Sequence, residues 1–276
     1  MSDSGERLTR PLLLIGCGKM GGAMLAGWLE SGIAGGGVVV LDPMGATAFA
    51  GRDGVTIHTG LATLPADLDP EVVVFAVKPQ QMAEAAPFAA RYVGPGTVFM
   101  SIAAGTTISF FEDHLGDGAA IVRAMPNTPA AIGQGITVAC PNDNVSDAQM
   151  AICSALLGAI GEALSVDDEA LIDPVTAVSG SGPAYIFLLI ECLAEAGVEA
   201  GLPRGLADRL ALVTVAGAGQ LALRGEDAPA QLRRNVTSPG GTTQAALEVL
   251  MAGDGLQQLM TRAVAAATKR GRELAG

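Results

Sequence analysis

The sequence predicts an α/β N-terminal domain built on a mostly parallel sheet, followed by an all-α domain. Three observations predict it. Short β-branched, apolar runs alternate with helix-like segments over residues 1–166. A glycine-rich turn follows the first run and opens the first helix. After Val166 the strand-like runs stop, and residues 167–276 read almost wholly as helix.

The predicted strands are PLLLIG (Pro11–Gly16), VVVLD (Val38–Asp42), VTIHT (Val55–Thr59), EVVVFAV (Glu71–Val77), TVFMSI (Thr97–Ile102) and AAIVRAMP (Ala119–Pro126). They show little polar alternation, as strands covered by helices on both faces do, so the sheet is expected to be parallel. ITVAC (Ile136–Cys140) and EALSV (Glu162–Val166) can add two edge strands. Ser146 is placed to cap the helix between these two.

The acidic turn Asp167-Asp168-Glu169 opens the second half. Pro183 fits the first turn of a helix ending near Gly201, and Pro203 the first turn of the next. The stretch RLALVTVAGAGQLALR (Arg209–Arg224) is apolar nearly all round, with Gly217 and Gly219 inside it. A helix of this kind must be buried on most faces. About 110 residues of helix cannot bury so much apolar surface alone, so a homodimer through this half is expected.

The formal net charge is −12, from 28 acidic and 16 basic residues. With no basic stripe and no interleaved aromatics, the chain is not expected to bind nucleic acid. An anionic membrane surface is disfavoured for the same reason. The polar N-terminus MSDSGERLTRP does not read as a secretory signal. The apolar windows are broken by charge, as Glu191 breaks AYIFLLI (Ala184–Ile190), so none is expected to reach the ~20 residues that span a bilayer. The four cysteines lack CxxC spacing and the two histidines are far apart, so no metal site is expected. The cysteines read as small buried side chains of a reducing, cytoplasmic compartment.

IGCGKMGGAM puts Gly16, Gly18 and Gly21 in the GxGxxG frame, directly after an apolar strand and at the start of a helix. That context, with acidic Asp42 closing the next strand, gives the dinucleotide-binding fingerprint of a Rossmann-type domain. Gly16 permits the tight turn, Gly18 lets the backbone approach a pyrophosphate, and Gly21 lets helix and strand pack closely. The helix N-terminus supplies unpaired N–H groups to the anion. Asp42 is placed to bond the ribose 2′-hydroxyl of NAD, or alternatively to cap the DPMG turn. Lys78, after strand EVVVFAV, faces the crevice as a phosphate or ribose contact, or is an ordinary exposed lysine. SIAAG (Ser101–Gly105) ends the fifth strand in small residues that suit a flat nicotinamide. PNTP (Pro126–Pro129) ends the sixth in the same crevice.

A second glycine loop lies at the other end of the chain, in LRRNVTSPGGTTQAAL (Leu232–Leu247). Gly240 and Gly241 precede a helix beginning near Thr242, so its N-terminus is either an anion site or a plain helix cap. The dinucleotide already has its loop, so the second anion points to a substrate carboxylate. Ser238, Thr242 and Thr243 add hydroxyls. SGSGPAY (Ser179–Tyr185) is a further small-residue helix start, either a floor under the cofactor or an interdomain joint. No Ser-His-Asp set, paired carboxylates or histidine acid can be assembled from the sequence. Hydride delivery to a cationic C=N bond needs little proton machinery and fits.

The chain resembles the pyrroline-5-carboxylate reductase family over nearly its whole length. The resemblance is carried by IGCGKMGGAM, FAVKPQ, SIAAGTTI, RAMPNTPA, SGSGPAY, AGLPR and above all LRRNVTSPGGTTQAALEVL. It implies reduction of L-1-pyrroline-5-carboxylate to L-proline with NAD(P)H, the last step of proline biosynthesis. It implies a Rossmann domain, a helical dimerisation domain, dimers that can assemble into decamers, and a substrate site where subunits meet. On the cofactor side it implicates Gly16, Gly18, Lys19, Met20, Gly21, Asp42, Ala76, Val77, Lys78, Pro79, Ala103, Ala104, Gly105 and Asn235. On the substrate side it implicates Glu226, Ser238, Gly240, Gly241, Thr242 and Thr243. Backbone N–H groups of Gly241, Thr242 and neighbours would hold the carboxylate, and Thr243 would be the catalytic residue, a proton donor near the ring nitrogen.

One departure stands out. Many family members carry Asn-Arg or Ser-Ser type residues after the second strand, suited to a 2′-phosphate, where this chain has Asp42-Pro43. The cofactor expectation is therefore NADP or NAD, with Asp42 favouring NADH. Two rival readings remain. One is another two-domain imine or keto-acid reductase, such as a β-hydroxyacid dehydrogenase relative, which would want a lysine that helix PAYIFLLIECLAEAGVEAGLPR lacks. The other is a non-catalytic dinucleotide-binding protein, which would have no use for the second loop.

Overall fold

A computed structural model describes residues 7–275. The strands are β1 (Leu12–Ile15), β2 (Val38–Leu41), β3 (Val55–His58), β4 (Val72–Phe75), β5 (Val98–Ser101), β6 (Ala120–Met125), β7 (Gly135–Pro141) and β8 (Gly161–Ser165). They form one sheet in the order β3-β2-β1-β4-β5-β6-β7-β8. The pairings are parallel except β6 with β7, which is antiparallel. The first six strands thus follow the doubly wound order, with the switch point between β1 and β4, where ligands of such sheets bind. The predicted edge strands both form, as an extension beyond β6.

The helices are α1 (Lys19–Ser31), α2 (Pro79–Ala89), α3 (Ile108–Leu115), α4 (Asp147–Gly158), α5 (Ile172–Val175), α6 (Gly182–Glu199), α7 (Arg204–Arg224), α8 (Pro229–Asn235), α9 (Thr242–Leu250) and α10 (Leu256–Ala275). Two-residue alternation divides the strand side chains between two cores. Leu12, Leu14, Val38, Val40, Val72 and Val74 pack with Met24, Leu25 and Trp28 of α1 and with Leu156 and Leu157 of α4. Leu13, Ile15, Val39, Leu41, Val73 and Phe75 pack with Met82 and Ala86 of α2 and Phe111 of α3. Both faces are covered, which is why these strands carry no polar alternation. Buried Trp28 donates Nε1–H to Leu156 O at 2.9 Å, tying α1 to α4. Ser146 caps α4 with Gln149 in a capping box, as its spacing predicts.

Two compact units result among the described residues, 7–180 with 267–275, and 181–266. The composition breaks at Val166, yet the contacts divide after Gly180. The reason is a buried cation. Arg123 on β6 is 3% exposed and pairs with Glu169 at 2.7 Å and Asp173 at 3.3 Å. Glu169 also accepts from Ile108 N–H at the start of α3. Ile172 is fully buried in the sheet's second core. Residues 167–180 therefore pack on the sheet, ending in a π-helical turn at Thr176–Gly180. Gly180 there lies beside Met125 at the end of β6.

The second unit is helical. Gly197 of α6 and Ala207 of α7 allow these helices to approach closely. Pro203 is the N-cap of α7 rather than a first-turn residue, a one-residue correction. The buried apolar residues of this unit are Ala194, Ala207 and Ala211, while Phe187 is 58% and Leu223 67% exposed. The expectation that no segment reaches membrane-spanning size needs correction: residues 169–199 and 204–224 are long and apolar enough by length and composition. Charge breaks in the sequence mislead because the apolar surface is summed along two long helices. An exposed apolar helix pair is also what an interface between subunits requires.

Arg123→Ala would leave two part-buried carboxylates without their cation. It should lower the unfolding free energy of the sheet unit by about 3 kcal/mol. Urea unfolding checks this, and a loss below about 1 kcal/mol would remove the cluster from the forces holding residues 167–180.

Candidate functional site

The carboxyl ends of β1, β2 and β4 carry Gly16 to Gly21, Asp42 and Ala76 to Pro79 of the predicted cofactor residues, while Ala103 to Gly105 follow β5 and Asn235 ends α8. Gly16 has φ +90°, and a Cβ there would meet Ala76 O and Val77 Cγ1 at 2.8 Å. A Cβ on Gly21 would lie 2.4 Å from Gly16 O and 3.1 Å from Ala76 Cβ. These two glycines and Ala76 thus let strand and helix touch. Gly18 has open space where its Cβ would stand, so that side of the loop is free for an approaching group. Gly18 is the N-cap of α1, without a side-chain cap and without an acidic residue in the first turn. Among the described residues, nothing accepts from the N–H groups of Gly18, Lys19 or Met20. Lys19 is exposed and Met20 half-buried. A pyrophosphate fits this terminus, which supplies both donors and the positive dipole end.

Asp42 closes β2 beneath that loop. One carboxylate oxygen accepts from Cys17 N–H at 2.6 Å, the other from Met44 N–H at 2.7 Å. The residue thus caps its own turn and also pins the glycine loop. Burial, and then the Asp42 charge, push the Cys17 thiol up to about 11. Cys17, Gly18, Asp42, Met44, Ala46, Thr47, Ala48 and Phe49 line a cavity of about 280 Å³. A second cavity of about 360 Å³ lies on the other side of the strand ends, walled by Leu41, Pro43, Leu61, Val77, Gln81 and Phe88. The loop residues Met44 to Phe49 carry no sequence signal that singles them out. Ala46 is there in the left-handed region at φ 37°.

Lys78 is the exposed N-cap of α2, and Pro79 occupies its first turn. Ala103 is buried, and its N–H donates to Ser101 Oγ at 3.3 Å. Gly105 takes φ +74°, and a Cβ there would lie 2.9 Å from Leu274 Cβ. The small residue at this position therefore accommodates the chain's own last helix as its nearest neighbour. Ala104 beside it is half-buried. In PNTP, Asn127 is buried and accepts from Ile136 N–H, so it pins its own loop.

The second glycine loop is built within the helical unit. Gly241 is the N-cap of α9 and Gly240 takes φ +72°. Gly241 N–H donates to Ser238 O at 3.0 Å, and Gly240 N–H to Gln244 Oε1 at 2.7 Å. Both glycine N–H groups are therefore engaged inside the loop, unlike the expectation that Gly241 donates to a ligand. The free donors fall one residue later: among the described residues nothing accepts from Thr242 or Thr243 N–H. Gln244, three residues after the N-cap, closes the loop; the capping-box spacing is the signal that could have found it. The Thr243 hydroxyl has no partner among the described residues and the side chain is half-buried. Ser238 and Glu226 are exposed. Asn235 donates to Asp227 Oδ2 at 3.1 Å and accepts from Gln231 at 2.6 Å, so its amide braces the turn around residues 226–228.

The two glycines of the first loop should respond differently to a methyl group. Gly21→Ala meets backbone at 2.4 Å and should lower the melting temperature by several degrees. Gly18→Ala meets nothing, so the melting temperature should hold while dinucleotide affinity falls tenfold or more. Thermal unfolding with fluorescence titration reads both; equal loss of stability in the two variants would contradict the division of roles.

Two family models match the chain. Residues 12–105 match NADP oxidoreductase coenzyme F420-dependent, and residues 169–274 match pyrroline-5-carboxylate reductase dimerisation. A pyrroline-5-carboxylate reductase of Pseudomonas aeruginosa is 43% identical over 270 residues, 97% of each chain. One from Synechocystis is 40% identical, over 95% of this chain and 97% of that one. Among solved structures, a pyrroline-5-carboxylate reductase from Coxiella burnetii superposes with a TM-score of 0.89 at 35% identity, covering 98% of this chain and all of that one. These full-length likenesses put the chain in the pyrroline-5-carboxylate reductase family.

Proposed function

We propose that this protein reduces L-1-pyrroline-5-carboxylate to L-proline by hydride transfer from NAD(P)H, the last step of proline biosynthesis. The observation that carries this reading is the α9 N-terminus, whose Thr242 and Thr243 N–H groups lack acceptors behind a closed glycine turn. Donors of this kind suit an anionic substrate, and the likeness to pyrroline-5-carboxylate reductases over 97% of the chain supports a carboxylate there. The bound reduced nicotinamide would supply the hydride to the imine carbon. A structural relative from Plasmodium falciparum was solved with NADP bound, at 28% identity and a TM-score of 0.82.

The chain's own residues do the rest. The N–H groups of Gly18, Lys19 and Met20 hold the pyrophosphate, with Lys78 and Pro79 along the same crevice and Ala103, Ala104 and Gly105 toward the nicotinamide. The N–H groups of Thr242 and Thr243 hold the substrate carboxylate. Thr243 Oγ1 orients the ring nitrogen and passes its proton, and Glu226 and Ser238 border the ring. Asn235 acts through the turn it braces. An iminium already carries its proton in acidic solution, so the hydroxyl matters most as pH rises. The apolar, exposed α6 and α7 support a homodimer as the working form; a decamer as its higher assembly, in the cytoplasm, is what the family resemblance and the free cysteines imply.

Turnover is checked by following NADH and NADPH oxidation with racemic 1-pyrroline-5-carboxylate. Absence of substrate-dependent oxidation with either cofactor would overturn the reading. Thr242→Pro is the informative loop variant, because proline is tolerated at the first helical position; it deletes the N–H together with the hydroxyl, and Thr242→Ala, which keeps the N–H, separates the two. Losing one hydrogen bond to a charged group costs ~1.5–3 kcal/mol, so substrate KM should rise tenfold or more while dinucleotide affinity holds. Thr243→Ala should lower kcat by ~10²-fold at high pH and less at low pH. A pH profile parallel to that of the parent protein would leave Thr243 a positional role only. Analytical ultracentrifugation should show dimers or larger; a fully active monomer, or a protein extracted only with detergent, would contradict the assembly.

A further inference from the structure

We propose that Asp42 makes this protein NADH-selective, by filling the position of a ribose 2′-phosphate with a fixed negative charge. The inference rests on the reading of the glycine-loop crevice as the dinucleotide site. Asp42 is only 9% exposed, and each carboxylate oxygen is held by a backbone N–H, Cys17 at 2.6 Å and Met44 at 2.7 Å. It cannot swing aside without freeing both donors, one of them in the glycine loop itself. Each carboxylate oxygen has a further lone pair after these bonds, enough to accept from the two ribose hydroxyls.

A 2′-phosphate needs a cation nearby, and this cavity provides none. No lysine or arginine lines it; beyond Asp42 its walls are apolar or neutral, including Met44, Thr47 and Phe49. Arg52, the nearest basic residue in sequence after β2, is exposed and lies outside that lining. The Cys17 thiol reports the same field, since the Asp42 charge adds to burial in raising it. Ala46 at φ 37° and Gly45 at φ 82° turn the chain after Asp42, and Met44, Ala46 and Thr47 line the same cavity as the carboxylate. A nearby carboxylate accepts ribose hydroxyls and repels the dianion that distinguishes NADPH.

Direct titration of the purified protein with NADH and with NADPH, by nucleotide fluorescence and without substrate, tests this. NADH should bind at least tenfold more tightly, a difference of about 1.4 kcal/mol. Asp42→Ser should strengthen NADPH binding tenfold or more and weaken NADH binding. Asp42→Asn keeps the shape and one acceptor and removes the charge. It should shift the ratio the same way, and it serves if the serine variant does not fold. Equal or tighter NADPH binding by the parent protein, or a ratio unchanged in the variants, would overturn the proposal and leave the dinucleotide site standing. Binding of neither nucleotide would overturn the site as well.

Discussion

Backbone N–H groups left without acceptors at the starts of two helices are the feature on which the functional architecture depends. An α-helix begins with four donors that its own ladder cannot satisfy. A Ser, Thr, Asp or Asn side chain can meet this need, as Ser146 does for α4 and Thr107 for α3, while α6, α7 and α8 also go without one. Neither α1 nor α9 has such a cap; both begin at glycine. In each case the protein engages the outer donor and leaves the inner ones open. Cys17 N–H goes to Asp42, while Gly18, Lys19 and Met20 stay free. Gly241 N–H goes to Ser238 O and Gly240 N–H to Gln244, while Thr242 and Thr243 stay free. The engaged donors fix the shape of the loop, and the open ones are those that the proposed function assigns to the pyrophosphate and the substrate carboxylate.

The two units solve the stability problem differently. The sheet unit covers both faces of its strands, so the glycine loop is mounted on a rigid base and Gly16, Gly21 and Ala76 can meet at backbone distance. The helical unit buries little beyond three alanines and leaves large apolar side chains on α6 and α7 exposed. Such a unit gains its order from a further apolar surface, and the match of residues 169–274 to a dimerisation domain supports a second subunit as that surface. Mounting the second loop on such a unit ties the donors proposed for the substrate to assembly. Ligand affinity and oligomer stability should then be linked through mass action.

The β-strands were legible because their apolar runs are short and β-branched, and bounded by Gly, Asp or Pro; each observed strand lies within two residues of its predicted limits. The GxGxxG turn was legible because its spacing encodes backbone sterics, which Gly16 and Gly21 satisfy. The Arg123 cluster was not, because its partners stand 46 and 50 residues away and nothing local marks them. It is this cluster that moves the division between units to Gly180. The identity of the free donors at α9 was also hidden. Which N–H faces outward depends on the closing bonds of Ser238 and Gln244, and these follow from turn geometry rather than composition. The resemblance implies a cofactor contact for Asn235, and the structure adds that its amide is engaged by Gln231 and Asp227. The membrane-sized helices escaped notice because isolated charges such as Arg209 interrupt the runs without ending the helix.

The most direct measurement is a crystal structure with L-proline and oxidised dinucleotide bound together. The account predicts proline carboxylate oxygens about 2.7–3.2 Å from the Thr242 and Thr243 nitrogens, and pyrophosphate oxygens at similar range from Lys19 and Met20 nitrogens. A carboxylate held instead by a side-chain cation, with the Thr242 and Thr243 N–H groups facing water, would contradict it.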